Sequence, residues 1–487
     1  MRRHPLVIAL AAVVTSSLGA QPVVQQAERR ALLSVDAQRA DFDLLRRSIE
    51  EAHGGLHRWV PKAELDRRWA AHRARLDRPM TSLALAGVLS EALAELRDGH
   101  ARLEYDSVTN AALAGTRLLP LRVALEGEQL VVVSNDTPAD STIRPGMVLL
   151  AIDGRPTRDL VATLLPRVSG DGFIETGRRT RFARELAVSY WRWIAQPDSF
   201  AITARDEAGR VVTATLRGVT ADERRTNANP VNAALAENAA RLDGPRGTIA
   251  LEFLRDSTVA RLRVRAFDGQ SFPATLDSAF RVLRERATRA HILDLRGNGG
   301  GVDLYGALLV SHLVARPFRY FDHIHLTTIA PSFATWLPRT FESLRAGTVP
   351  HAGGGFRVTE QLHRGVGEQQ PQPHPFTGPL VVLIDGGSFS TTADVAAQLR
   401  SLRRATFVGE ETAGTYEGNT SGLNALIVLP SSGLRLRIMM YGYWNAVMPP
   451  PSPGRGTRPD HEVTRRVGDL LLGRDPMLER AIEVVGR

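Results

Sequence analysis

The chain has 487 residues, 43% of them hydrophobic and 23% charged, a composition with ample apolar surface for a sizeable core and a length of roughly three domains. Lysine and arginine outnumber aspartate and glutamate by 61 to 52, for a formal charge of +9, but no basic cluster is interleaved with aromatic residues, so no nucleic-acid partner is expected. Cysteine is absent, which excludes disulfides, thiolate metal sites and a cysteine nucleophile.

Residues 1–20 read as an export signal. Arg2, Arg3 and His4 form a basic start, Leu6 to Val14 an apolar run too short to span a bilayer, and Ser17 to Ala20 a small-residue cleavage region. The expected product is an exported, periplasmic or secreted chain without stable membrane insertion. Residues 21–110 are expected to be a helical region. Apolar residues recur at helical spacing over Ala40–Ala52, Lys62–Leu76 and Ser82–Leu96, and the last of these ends in Arg97-Asp98-Gly99-His100. A histidine just beyond a glycine-stopped helix is more often structural than catalytic.

Residues 111–175 have the look of a PDZ-like β domain. An Ile-Arg-Pro-Gly turn precedes the apolar run Val148–Ile152, Asp153-Gly154 is a hairpin signal, and Thr157 to Leu165 continues as a helix. Domains of that kind bind extended peptides by adding them to a sheet edge. Over 176–245 the expectation is of connecting strands, two of them flanking Glu207-Ala208-Gly209, and the aromatic, basic stretch Arg178–Gln196 is left unassigned. From 246 to 487 strands and helices alternate, as in an α/β layered core. Pro317–Pro379 is long and irregular, read as a lid or rim. It carries His323, His325, His351, His363 and His374, none at the i, i+4 spacing of a metal-binding pair, so neither a metal nor another cofactor is expected.

Two stretches of this last region carry chemistry. Leu380–Ile384 is a continuous apolar run, as in a strand buried on both faces; Asp385-Gly386-Gly387 breaks it, Ser388-Phe389-Ser390 follows, and a small-faced helix begins at Thr391. Such a turn lifts a hydroxyl off a sheet beside the free N–H groups of a helix start. The alternative is a serine that merely caps the helix. Upstream, Ala290-His-Ile-Leu-Asp294-Leu-Arg296 is a second buried strand, ending in Gly297-Asn298-Gly299-Gly300-Gly301. Two parallel strands that end in glycine turns face one crevice.

Asp294-Leu-Arg-Gly-Asn-Gly-Gly-Gly301 resembles the D-L-R-x-N-x-G-G element of the C-terminal-processing (tail-specific) peptidases. Gly386-Gly-Ser-Phe-Ser-Thr-Thr-Ala-Asp394, followed by Val408-Gly-Glu-Glu-Thr412, resembles that family's serine segment and the strand end after it. Asp98-Gly99-His100 resembles the element that carries the histidine base in the tricorn-core branch, which is related to the interphotoreceptor retinoid-binding protein. The resemblance implies an α+β multidomain chain: a helical N-terminal region, a PDZ-like domain and a crotonase- or ClpP-like catalytic core. It also implies a serine endopeptidase acting on unfolded or C-terminal polypeptide.

The family's usual base is a lysine six residues beyond the glycine of Gly-Glu-x-Thr. Here that position is Thr415, and the chain's single lysine, Lys62, belongs to the N-terminal helices. The expected mechanism is therefore serine–histidine, with Ser390 as nucleophile, His100 as base, and the backbone N–H groups of Gly299, Gly300 and Thr391 holding the oxyanion. Asp98, Glu410, Glu411 and Glu417 are the candidates to orient the imidazole, since Met440 or a neighbour stands where the branch has its glutamate. Ser388 is the rival nucleophile. The rival function is a binding protein for hydrophobic ligands or peptides on the same fold; a crotonase-like acyl-CoA enzyme is disfavoured by the export signal.

Overall fold

The computed structural model describes residues 32–486 apart from 106, 139, 255–257 and 334–336. The segment read from sequence as an export signal, residues 1–20, lies outside the described residues. The N-terminal region is three helices, Val35–Ala52, Lys62–Ala74 and Ser82–Ala94. Ser34 and Thr81 cap the first and third, each accepting a backbone N–H three residues on. Phe42, Leu45 and Ile49 of the first and Leu85, Leu89 and Leu93 of the third are buried in one core with Ile438 and Met440 of the far C-terminal part. The expected helical region thus shares its core with the expected catalytic region. No helix among the described residues is long and apolar enough to cross a membrane.

A six-stranded sheet occupies the middle of the chain. Leu121–Glu126, Gln129–Asn135 and Val148–Ile152 pair in antiparallel succession, and Arg155–Pro156 closes a hairpin on the third. Asp153 and Gly154 both take positive φ, 50° and 73°, as a two-residue hairpin turn requires. The sheet does not stop at residue 175. Ser199–Arg205 pairs with Val148–Ile152, with Ile202 opposite Ile152, and Val211–Arg217 adds the edge. The two strands expected as connections are therefore members of this same sheet. The unassigned stretch before them is a helix, Glu175–Trp193, which buries Phe182, Leu186 and Tyr190 against the sheet's core.

The second large sheet follows the order His461–Glu462, Thr406–Gly409, Leu380–Ile384, Ala290–Asp294, Val259–Val264, Ile249–Leu254. All neighbours are parallel except the last pair. Leu380–Ile384 and Ala290–Asp294 are adjacent, with Leu383 opposite Asp294, and both are buried at every position. The two glycine turns therefore leave neighbouring strands at the same end. Helix Asp303–Ser311 follows the upstream turn and helix Thr391–Ser401 the serine turn.

A third sheet is built on the long strand Arg435–Asn445, flanked by Thr420–Val428 and Phe321–Leu326. The stretch Pro317–Pro379 is thus not a loose lid. Phe321–Leu326 pairs with the long strand, Phe341–Ala346 is a helix, and Thr348–Pro350 with Phe356–Val358 form a small outer pair. Its strands are short, two to six residues, and rich in histidine, so no alternation long enough to register shows in the sequence.

Candidate active site

Ser390 lies at the junction of the serine turn and its helix, in a backbone conformation that side chains avoid, φ 56° and ψ −129°. A non-glycine residue held there is strained by about 1–3 kcal/mol, and the surroundings must enforce it. They do so from both sides. The Phe389 N–H donates to Asn298 O at 3.0 Å, the Thr391 hydroxyl donates to Gly301 O at 2.9 Å, and the Ala413 N–H donates to Ser388 O at 2.8 Å. The two glycine turns are thereby stitched together. A side chain on Gly300 would put its Cβ 2.7 Å from that of Ser390, so only glycine permits this approach.

The strained turn aims the Ser390 Oγ at His100, whose Nε2 lies 3.2 Å away. If the hydroxyl donates, Nε2 is the acceptor and Nδ1 carries the proton. His100 arrives from the N-terminal helical region. Arg97, in the left-handed conformation (φ 57°), ends the third N-terminal helix, and Asp98-Gly99-His100 turns toward the serine. A Cβ on Gly99 would lie 2.8 Å from the Phe389 ring and 2.9 Å from Asp171 Oδ1, so glycine is required there as well. The imidazole packs on Phe389 with ring centroids 4.5 Å apart. Burial, reinforced by the charges of Arg181 and Arg102 and opposed by Asp98, pushes its pKa down to about 4. His100 is therefore uncharged at neutral pH, with one ring nitrogen able to accept a proton.

Two carboxylates flank the imidazole. Asp98 Oδ1 accepts the His100 backbone N–H at 2.7 Å and lies 3.8 Å from Nδ1. Its Oδ2 accepts from His53 Nε2 at 2.8 Å and from the Thr420 hydroxyl at 2.5 Å. The Gly55 N–H donates to His53 Nδ1 at 3.1 Å, which fixes that ring as an Nε2 donor. Burial alone would raise the Asp98 pKa, but the His53 hydrogen bond, the neighbouring imidazoles and Thr420 hold it at about 2. Asp171 behaves oppositely. Its Oδ1 accepts the Gly99 N–H at 2.6 Å, while its Oδ2 and His100 Nδ1 are both buried without a hydrogen-bond partner. Burial and the nearby charge of Asp98 push Asp171 up to about 7. Ligand atoms of Asp98, His100 and Asp171 lie within 4.8 Å of one another, so these are the residues that could gather a cation.

The remaining sequence-derived residues fall as follows. Thr391 N–H, at the first turn of the serine helix, and Gly299 N–H have no acceptor among the described contacts, and nothing lies within 4 Å of a Cβ built on Gly299. Gly300 N–H is already donated to Asn298 Oδ1 at 2.9 Å, so its part is the close approach and not a free donor. Ser388 is fully buried, its hydroxyl donating to Leu295 O at 2.9 Å, accepting the Asp385 N–H at 3.1 Å and lying 3.4 Å from Asp385 Oδ1, with no hydrogen bond to His100. Glu410 accepts from the Thr464 hydroxyl at 2.8 Å, Glu411 pairs with Arg455 at 2.9 Å, and Glu417 accepts the Gly454 N–H at 3.0 Å. Of the four orienting candidates only Asp98 adjoins His100. Lys62 pairs with Asp66 on the helix surface, and Met440 is buried in the core.

His53, Asp171, Thr420 and Phe389 were not singled out from sequence. His53 follows a helix end, as His100 does, and Asp171-Gly172 follows a helix in the same manner, but nothing local ties either to a site.

Residues 258–463 match peptidase family S41. The fold is similar to that of mature CPAF, at TM-score 0.63 and 17% identity over 92% of this chain and 96% of that one. Mature CPAF complexed with lactacystin aligns at TM-score 0.63 and 16% identity, covering 92% and 97%. The photosystem II D1 C-terminal processing protease aligns at TM-score 0.43 and 17% identity, covering 92% and 97%. No curated protein sequence matches the chain.

Proposed function

We propose that this chain, which belongs to peptidase family S41 and is a serine-type peptidase, is an exported endopeptidase of unfolded or C-terminal polypeptide that works through Ser390 and His100 without a lysine. The observation that carries the reading is the 3.2 Å contact between the Ser390 hydroxyl and His100 Nε2, made by a serine in a strained backbone conformation. Ser390 Oγ attacks the peptide carbonyl carbon while its proton passes to Nε2. The oxyanion receives the unclaimed N–H groups of Thr391 and Gly299. His100 then gives its proton to the leaving amine as the C–N bond breaks, leaving an ester on Ser390. Water, deprotonated by the same imidazole, hydrolyses the ester, and the proton returns to Ser390 Oγ.

While His100 carries both protons, Asp98 supplies the compensating charge. Its Oδ1 lies 3.8 Å from Nδ1, near enough for its charge to act on the imidazolium. Asp98 does not itself take the proton, because His53 and Thr420 hold its pKa far below that of the imidazole. Export is supported by the basic start and short apolar run of residues 1–20, and capture of extended tails by the antiparallel sheet over 121–217, whose edge strand Val211–Arg217 would accept an added strand.

The test is hydrolysis of casein and of a C-terminally tagged unfolded substrate by wild type, Ser390→Ala, His100→Ala and Ser388→Ala. The first two substitutions are expected to lower kcat by about 10³-fold or more. Ser388→Ala is expected to remain active and lose about 1–3 kcal/mol of stability, since it removes two buried hydrogen bonds, to Leu295 O and from the Asp385 N–H. An inert wild type would favour the binding-protein alternative.

A further inference from the structure

A cleft of about 540 Å³ opens beside the catalytic groups, between the Ala101–Tyr105 segment and the helix Glu175–Trp193. Arg102, Arg167, Arg181, Arg184, Arg192 and Arg435 line it, against two carboxylates, Glu104 and Glu185. Glu104 is already paired with Arg437, and Arg167 is paired with Glu91 at 2.9 Å. Arg181 donates through Nη1 alone to the carbonyls of Gly99 at 2.7 Å and Ser169 at 3.0 Å, and among the described residues no carboxylate forms a salt bridge with it. Among the described residues no carboxylate forms a salt bridge with Arg102, Arg184, Arg192 or Arg435. Arg192 and Arg435 each bury an Nε without a hydrogen-bond partner.

An arginine-rich chain will show arginine clusters by composition alone. Elsewhere many are neutralised by carboxylates, among them Arg46, Arg73, Arg261, Arg296 and Arg455. This cleft is different in carrying unpaired guanidiniums in a concave wall, where low-dielectric surroundings concentrate the field. It is also continuous with the chemistry. A smaller cavity of about 210 Å³ shares Ser169, Arg181, Arg184 and Glu185 with it and reaches Gly299, Gly387 and Phe389, next to the nucleophile.

We propose that this groove is a carboxylate-binding subsite, so that the enzyme prefers polypeptide carrying acidic groups close to the cleaved bond. The inference rests on Ser390 being the nucleophile. Guanidinium forks bind carboxylates bidentately, and unpaired ones gain the most from doing so. The carboxylate can belong to an aspartate or glutamate side chain or to a free chain end.

The test is a panel of matched fluorogenic peptides, acidic, neutral and basic around the cleavage point, each with a free and an amidated C-terminus. At low salt kcat/KM is expected to favour the acidic over the neutral peptide by about tenfold or more, and high salt should erase most of that ratio. Arg184→Glu is expected to collapse the ratio and Arg102→Glu with Arg184→Glu to invert it, with folding of each variant checked by its melting curve. A preference confined to free C-termini assigns the groove to a chain end; one that survives amidation assigns it to side chains. A ratio near one, or one that neither salt nor substitution moves, overturns the proposal. Should no peptide be cut, binding of the same labelled peptides to Ser390→Ala decides separately. Selective binding of the acidic peptide upholds the subsite while the peptidase reading fails, and equal binding of all three sinks the subsite itself.

Discussion

Ser390 is held at φ 56° and ψ −129°, a conformation that glycine tolerates and serine does not. Ser390→Gly should therefore melt higher than Ser390→Ala, by about 1–2 kcal/mol in stability, although both are inactive. Equal melting temperatures would mean that the turn stores no strain. Asp171 gives a second prediction with a definite sign. Its folded pKa, about 7, lies above the ordinary 3.8, so the folded chain binds the extra proton between those values. Its contribution to stability is complete below the unfolded pKa and is lost as pH rises through about 7. Asp171→Asn, neutral at every pH, should match wild type near the acid end and exceed it above neutrality. Thermal melts over that range check this; a constant difference would contradict it. At this scale the serine and the histidine were legible, because each sits in a short motif with glycine beside it. His53, Thr420 and Asp171 were not. They come from three distant segments: packing of the helical region against the third sheet brings His53 and Thr420 to Asp98, and the segment before Glu175–Trp193 brings Asp171 to the Gly99 N–H.

The strand Ala290–Asp294 shows how an element is fixed in place. Asp294 at its end is fully buried, bonded twice by Arg296, whose Nε and Nη2 donate at 2.9 and 2.8 Å, and again by Arg261. Arg296 Nη1 continues to Asp475 at 2.7 Å. Asp475 caps the last helix, Pro476–Val485, accepting the Leu478 N–H at 3.2 Å. The Asp-Leu-Arg motif thus positions the glycine turn indirectly, by tying the strand end to the C-terminal helix. Removing one partner of such a buried pair leaves an uncompensated charge, so Asp475→Asn should cost about 3 kcal/mol by chemical denaturation. A loss below about 1 kcal/mol would show the pair to be dispensable. Elements with strong patterns were legible: the buried strands from their continuous apolar runs, the helices from their spacing. Glu175–Trp193 was obscured because five arginines crowd the helix around a stripe of only Phe182, Leu186 and Tyr190. Phe321–Leu326 was obscured because a six-residue strand whose partner lies more than a hundred residues on carries no local signal.

Across the whole molecule the site is a meeting of parts. The parallel sheet supplies Ser390 and the free N–H groups of Gly299 and Thr391, the turn after the N-terminal helices supplies Asp98, Gly99 and His100, and the segment before Glu175–Trp193 supplies Asp171. The order of these regions was legible along the chain, but their sharing of one core was not, since nothing local says that Phe42 and Met440 will be neighbours. This assembly has a consequence for pH dependence. Burial of His100 against Phe389, helped by the charges of Arg181 and Arg102 and opposed by Asp98, holds its pKa at about 4, below the ordinary 6.5. The base should then stay active well into the acid range and fail only as pH falls through its own folded pKa. The most direct measurement is the rate at which a fluorophosphonate labels the purified chain across pH, with the site identified by peptide mass. The account predicts a single label on Ser390, abolished in His100→Ala, with an acid midpoint well below 6.5. A folded chain that takes no label, or takes it at Ser388, would contradict the serine–histidine mechanism.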